Sequence, residues 1–267
     1  MRIGIIGTGN IGGMLAAAFA VNPHHDVYVF NRTPGKAIAL AETTRNIHLA
    51  RSTRDVAQVS DVLFVATKAR DGQHIFAEIG PLLARTQLLV ATISSVNLAE
   101  LEGLTVAGVA KVIPSIVQTQ RMGSLLVAYG PSLSMRLQSR LKQLLAEIST
   151  PFAVSEDQIR VASDLSSCSP AFIAYLIVQW AQVAAETRQV SYAEAEHLLV
   201  TTLTGTAQLL ESGLTLQDII TKVAVPGGVT EVGLQALAEP SRRTFADLHE
   251  ATERYARKPL VVNPSGV

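Results

Sequence analysis

The chain has 267 residues, and its 22 Lys and Arg balance 22 Asp and Glu to a formal charge of zero. That balance gives no electrostatic footing for nucleic acid or an anionic membrane surface and suits a small neutral or zwitterionic substrate. The single cysteine, Cys168, excludes an intrachain disulfide and a cysteine-rich metal site, and agrees with a reducing cytoplasm.

A chain of this length is expected to fold as two domains. Its first residues carry the strongest signal. Arg2 to Ile6 is an apolar run that enters Gly7-Thr8-Gly9-Asn10-Ile11-Gly12, and an alanine-rich segment follows to about Ala20. Strand, G-x-G-x-x-G turn and helix, with a second strand at Val27 to Phe30, compose a βαβ dinucleotide site. Gly7 permits the tight turn, Gly9 lets the backbone approach a pyrophosphate, and Gly12 lets the helix lie close to the strand. The helix N-terminus, Asn10 and Ile11 included, then faces the anion. Glycines this early also break any secretory leader.

The end of the second strand points to the cofactor. An NAD site usually places Asp or Glu there to accept the ribose 2′-hydroxyl, whereas this chain reads Asn31-Arg32-Thr33. Arg32 can pair with a 2′-phosphate through its planar fork, and Asn31 and Thr33 add neutral hydrogen-bonding groups. NADP(H) is therefore expected over NAD(H). As a bland alternative, Arg32 is a solvated surface charge.

Further along, a helix is expected at Gly35 to Thr43, a short apolar piece at Ile47 to Leu49, and a strand covered on both faces at Asp61 to Ala66. A helix near His74 to Ala84 and strands at Gln87 to Ile93, Ala110 to Ile113 and Leu125 to Tyr129 complete the pattern. This alternation predicts an α/β fold, a Rossmann-type, doubly wound and mostly parallel sheet. Ligands in such sheets bind beyond the carboxyl ends of the strands. Thr67 and Lys68, Thr92 to Ser95, and Pro114 with Ser115 occupy those ends. Lys68 either touches the cofactor or is a solvated lysine at a strand end.

From Ser134 the character changes, with Leu137, Leu141, Leu144, Leu145 and Ile148 at helical spacing, and almost everything past Ala153 reads as helix. The expected division is a dinucleotide-binding domain over 1–155 and an all-α domain over 156–267. Ser191 with Glu194 forms a capping box, and Gly213 stops a helix that Thr215 restarts. Ala171 to Ala185 is apolar but short of the ~20 residues that span a bilayer. Val261 to Val267 is expected to fray. The six histidines show no metal-ligand spacing. Ser166 to Phe172 places small residues before a long apolar helix.

The most unusual text is Val225-Pro226-Gly227-Gly228-Val229-Thr230-Glu231. A Pro-Gly-Gly turn feeding a helix exposes backbone N–H groups at a positive helix end, which suits a substrate carboxylate. Thr230 sits in the expected first turn, where it is also a plausible plain cap.

Together these segments resemble pyrroline-5-carboxylate reductase, the enzyme that ends proline biosynthesis. The likeness runs over nearly the whole chain. Ile6 to Ile11 is similar to the family's I-G-x-G-N-M, Asn31 to Thr33 to its N-R-[ST], and Pro226 to Thr230 with Gly233 to Leu237 to its P-G-G-T-T-x-x-G-L-x-A-L. The resemblance implies a Rossmann domain followed by a helical dimerisation domain. It also implies hydride transfer from NADPH to the cyclic imine carbon of 1-pyrroline-5-carboxylate. Thr230 would assist protonation at nitrogen, and Pro226, Gly227, Gly228, Val229 and Thr230 would hold the carboxylate. A homodimer or higher homo-oligomer is implied.

Three departures cluster in the expected pocket. Val225 stands where the family has Ser, Ile113 to Val117 replaces M-P-N-T-P, and Ser166 to Phe172 adds side chains where S-G-S-G-P-A-[YF] has glycines. Together they resemble the late-competence, ComER-type paralogues of this reductase. Two functions follow: an NADPH-dependent cyclic-imine reductase, or a nucleotide-binding paralogue with impaired catalysis and a regulatory role in competence or sporulation.

Overall fold

Runs of Val, Ile and Leu bounded by polar residues have no solvated face to offer, so they pair side by side and take helices on both sides. In the computed structural model, which describes residues 1–256, these runs become β1 (Arg2–Ile6), β2 (Asp26–Phe30), β3 (Ile47–Leu49), β4 (Val62–Val65), β5 (Leu88–Ala91), β6 (Gly108–Ile113) and β7 (Ser124–Tyr129). An eighth strand, β8 (Thr150–Ala153), joins them in the order β3-β2-β1-β4-β5-β6-β7-β8. All neighbours are parallel except β6 and β7. The helices between them are α1 (Asn10–Ala20), α2 (Gly35–Thr43), α3 (Thr53–Val59), α4 (Ala69–Ile79), α5 (Leu98–Glu102), α6 (Met135–Ala146) and α7 (Ile159–Leu165).

The period of two along each strand divides the core into two layers. Ile3, Val27, Phe64, Val90 and Val112 face α1 and α6, where Leu15, Phe19, Leu141 and Leu145 are fully buried. Ile6, Leu63, Val65, Leu89 and Val109 face the other way, against Val56, Phe76 and Leu101. Phe19 and Phe64 meet with ring centroids 5.4 Å apart.

Three features differ from the sequence expectation. The helix expected near His74 begins earlier, at Ala69, because Lys68 already has the extended backbone of an N-cap and Gly72 N–H donates to the Lys68 carbonyl. It passes into a tight 3-10 turn at Gly80–Leu82, where Pro81 interrupts the α-helical ladder. Strand β8 has no apolar alternation to announce it, and Pro151 argues against a strand; as an edge strand it needs neither.

The compact units are Met1–Ser169 and Pro170 to the end of the chain. Helix α7 belongs to the first, since Ile159 is buried in the second core layer. The second unit consists, among the described residues, of α8 (Ser169–Glu186, beginning one residue before the division), α9 (Tyr192–Glu211), α10 (Leu216–Val223) and α11 (Val229–Ala256). Its breaks follow the expected chemistry. Ser191 and Glu194 cap α9 reciprocally, Gly213 takes φ +99° after α9, and Thr215 with Asp218 caps α10. Only Ala181 and Ala195 are buried among the described residues of this unit. Among the described residues no single helix is long and apolar enough to cross a membrane. Val261 to Val267 lies outside the described residues.

Candidate functional site

A cleft of about 910 Å³ opens at the carboxyl ends of β1, β2 and β4. Its floor is the glycine turn. Gly7 takes φ +96°, and a Cβ there would meet the Ala66 carbonyl oxygen at 2.5 Å, so only glycine turns the chain at this point. Gly12 is tighter: a Cβ would lie 1.7 Å from the Gly7 carbonyl oxygen. Gly9 differs from both, because nothing lies within 4 Å of where its Cβ would be. The protein itself leaves that space open on the cleft side.

Helix α1 starts at this open point with Gly9 as its N-cap, no side chain capping it and no acidic residue in its first turn. Its positive end therefore meets the cleft without an internal anion. Asn10 and Ile11 line the cleft there. A pyrophosphate fits this arrangement, as the cradle is one a Cβ would fill and the charge at its end is positive.

The loop after β2 is held by its own side chains. Asn31 Oδ1 accepts the Thr8 N–H at 3.1 Å, and Asn31 Nδ2 donates to the Thr33 carbonyl at 2.7 Å. This leaves Arg32 and Thr33 on the wall of the cleft, with Lys36 from α2 beside them. Thr67 and Lys68 line the wall after β4, and the Thr67 hydroxyl donates to the Lys68 carbonyl at 3.3 Å.

All ten expected cofactor-site residues fall in one region of the first unit: Gly7, Gly9, Asn10, Ile11, Asn31, Arg32, Thr33, Thr67 and Lys68 line the cleft, and Gly12 packs beneath them. Reading the chain locally missed the other basic and acidic lining residues, Lys36, Asp71, His74 and Glu78. Asp71 matters most. The absence of a carboxylate at the end of β2 is a local fact only, because α4 brings Asp71 Oδ1 to 3.3 Å from Arg32 Nη1. His74 stands exposed in the cleft wall.

Sequence reading also missed a buried cation. Lys111 of β6 is 2 % exposed; its ammonium pairs with Glu156 and donates to the Ser94 carbonyl at 3.3 Å. The same Glu156 oxygen accepts the Leu98 N–H at 3.0 Å, so one pair ties the loop after β5 to the segment before α7. A lone lysine inside a strand gives no sign of this.

In the second unit, Gly227 takes φ +75° and Gly228 N–H donates to the Val225 carbonyl at 2.9 Å. Helix α11 follows, with Val229 and Thr230 as its first residues. Glu231 reaches back so that its Oε2 accepts the Gly227 N–H at 2.8 Å, which rigidifies the turn. The Val225 side chain lies across the loop, with Cγ2 3.0 Å from a Cβ position on Gly228. Pro226 to Thr230 thus form a turn and helix start of the expected kind. Ser166 to Ser169 form the turn between α7 and α8, where Arg160 ion-pairs with Asp164 and also donates to Cys168 Sγ at 3.6 Å. Among the described residues no group of His, Cys, Asp and Glu could hold a metal ion.

Comparison with known proteins adds relatives over almost the whole length. Residues 156–258 match the family model for pyrroline-5-carboxylate reductase dimerisation, and residues 2–95 match that for NADP oxidoreductase, coenzyme F420-dependent. ComE operon protein 4 of Bacillus subtilis is 34% identical over 257 residues, which cover 94% of each chain. Pyrroline-5-carboxylate reductase 3 of the same organism is 27% identical over 258 residues, covering 95% of this chain and 94% of that one. A solved pyrroline-5-carboxylate reductase from Coxiella burnetii shares the fold with a TM-score of 0.85 at 24% identity, covering 96% of this chain and 97% of that one.

Proposed function

The chain belongs to the pyrroline-5-carboxylate reductase family, and on that premise we propose that it is an NADPH-dependent oxidoreductase that reduces the C=N bond of 1-pyrroline-5-carboxylate or a related cyclic imine to proline or its analogue. The observation that carries this reading is the cleft of the first unit. An uncapped helix end, an open glycine and the cations Arg32, Lys36 and Lys68 converge there on space fitted to a phosphorylated dinucleotide.

NADPH, when bound, supplies the hydride to the imine carbon. The protein's part is to hold and orient. Gly7, Gly9, Asn10, Ile11 and Gly12 seat the pyrophosphate, Asn31, Arg32 and Thr33 take the 2′-phosphate end, and Thr67 and Lys68 wall the cofactor in. Pro226, Gly227, Gly228 and Val229 form the turn that seats the substrate carboxylate; Pro226 has no N–H to give, and the carboxylate would take the place of Glu231 at the Gly227 N–H. The Thr230 hydroxyl assists protonation at the imine nitrogen as the catalytic residue. The partner molecules are then a cyclic imino acid and a second copy of this chain, and the compartment is the cytoplasm, which suits a single free thiol.

A second reading is favoured by Val225. This side chain replaces a hydroxyl with an apolar group at the carboxylate loop, which supports a nucleotide-binding paralogue with impaired catalysis and a role in competence. The 34% identity to ComE operon protein 4 supports it too.

NADPH oxidation with pyrroline-5-carboxylate, measured beside Thr230→Ala and Val225→Ser, separates the two. The reductase reading expects turnover that falls roughly 100-fold in Thr230→Ala. It also expects kcat/KM to rise about tenfold or more in Val225→Ser, the value of one hydrogen bond to a charged group. NADPH binding without turnover in any of the three proteins favours the regulatory paralogue.

A further inference from the structure

Arg32 is the group that this cleft offers to a 2′-phosphate, and it already has an anionic partner. Its Nη1 lies 3.3 Å from Asp71 Oδ1. Asp71 stands in the first turn of α4, across the cleft from the loop after β2. The other carboxylate of this wall, Glu78, is engaged elsewhere: it accepts from the Thr53 hydroxyl at 3.0 Å and from Arg54 Nε at 3.2 Å. Arg32 is 84% exposed and Asp71 39%, so a phosphate can reach the guanidinium from solvent while Asp71 stays beside it.

We propose that Asp71 is a specificity-determining residue that moderates the preference for NADPH over NADH. A 2′-phosphate must take Arg32 from Asp71 and then sit near a carboxylate, so part of the attraction of Arg32 is cancelled. NADH requires no such exchange. Because selectivity is a difference between two affinities, an anion that weakens only one of them sets its size. The proposal rests on the reading of Arg32 as the 2′-phosphate partner, and both can be tested separately.

The experiment is calorimetric titration of the full chain and of Asp71→Asn, Arg32→Ala and the double variant with NADPH, NADH and 2′,5′-ADP. The last carries the 2′-phosphate without the nicotinamide. Asp71→Asn is expected to bind NADPH and 2′,5′-ADP roughly two- to fivefold more tightly, the scale of an exposed ion pair, with NADH unchanged. That gain should vanish in the Arg32→Ala background and shrink at high salt. If Asp71→Asn leaves NADPH affinity unchanged while Arg32→Ala still weakens it, Asp71 has no such role and the Arg32 reading stands. Equal tightening toward NADPH and NADH also overturns the proposal, since the pair would then be a bolt across the cleft. An Arg32→Ala protein with an unaltered NADPH-to-NADH ratio overturns the Arg32 reading and the proposal together. Asp71→Ser repeats the test should Asp71→Asn fail to fold.

Discussion

Asp61 shows how much a single carboxylate does at the end of the sheet remote from the cleft. Its Oδ2 accepts the Arg2 N–H at 2.9 Å, its Oδ1 accepts from the Arg2 guanidinium at 3.1 Å, and Arg140 of α6 lies 3.5 Å away. Burial pushes this carboxyl up, but the backbone bond, the Arg2 guanidinium and Arg140 together outweigh it and hold the group below its ordinary value of 3.8. A carboxyl depressed by folding contributes stability that is present above its unfolded value and lost as pH falls through the folded one. Asp61→Asn should therefore cost about 1 kcal/mol at neutral pH, with the gap to the parent protein closing below about pH 4. Urea unfolding at pH 7 and at a series of lower pH values measures both; a gap that does not narrow as the pH falls would mean that packing, not charge, is what Asp61 supplies. At this scale the sequence was readable for position, as at Asn31-Arg32-Thr33, which does line the cleft after β2. It was silent at Asp71 and Glu156, which act on residues 39 and 45 positions away.

The elements repeat that contrast. The three glycines of the turn look alike in the sequence, yet their surroundings assign them different work. Gly12→Ala would drive a methyl into the Gly7 carbonyl, so the helix must shift; a loss of about 1–3 kcal/mol is expected, with cofactor affinity falling alongside. Gly9→Ala meets nothing within 4 Å and should leave the melting temperature unchanged. Its NADPH affinity should still drop, because the methyl occupies the space assigned to the pyrophosphate. Thermal melts paired with NADPH titration distinguish the two, and a Gly9→Ala protein that binds normally would remove the pyrophosphate from that position. Helix caps were legible for a physical reason: Ser191-Glu194 and Thr215-Asp218 act within one turn, so spacing alone specifies them. Strand β8 was not, because it lacks alternation and contains Pro151, which reads against a strand in the sequence and is tolerated only at a sheet edge.

At the scale of the whole molecule the two units differ in how they are stabilised. The first buries two layers of aliphatic and aromatic side chains against its sheet. The second, among its described residues, buries only Ala181 and Ala195 and leaves Ile173, Leu176, Trp180 and Val183 in a stripe along α8, each at least 43% exposed. Helices in water draw most of their stability from burying such a stripe, and the stripe lies within the residues that match the pyrroline-5-carboxylate reductase dimerisation model. The melting temperature is accordingly expected to rise by about 1–3 °C per tenfold increase in protein concentration. Trp180→Glu should shift the protein to monomer in sedimentation and abolish that dependence. A monomer at micromolar concentration with an unchanged melt would show that the helices stand alone.

The sequence by itself determined the α/β class, the order of most strands and helices, the glycine turn and the caps, because each depends on a short period or on neighbours within one turn. The tertiary structure alone decided that α7 packs on the sheet, that Lys111 is buried against Glu156, and that Asp71 meets Arg32 in the cleft wall. Those contacts join residues far apart in the chain, and only the crossing of strands and helices brings their charges within reach of one another.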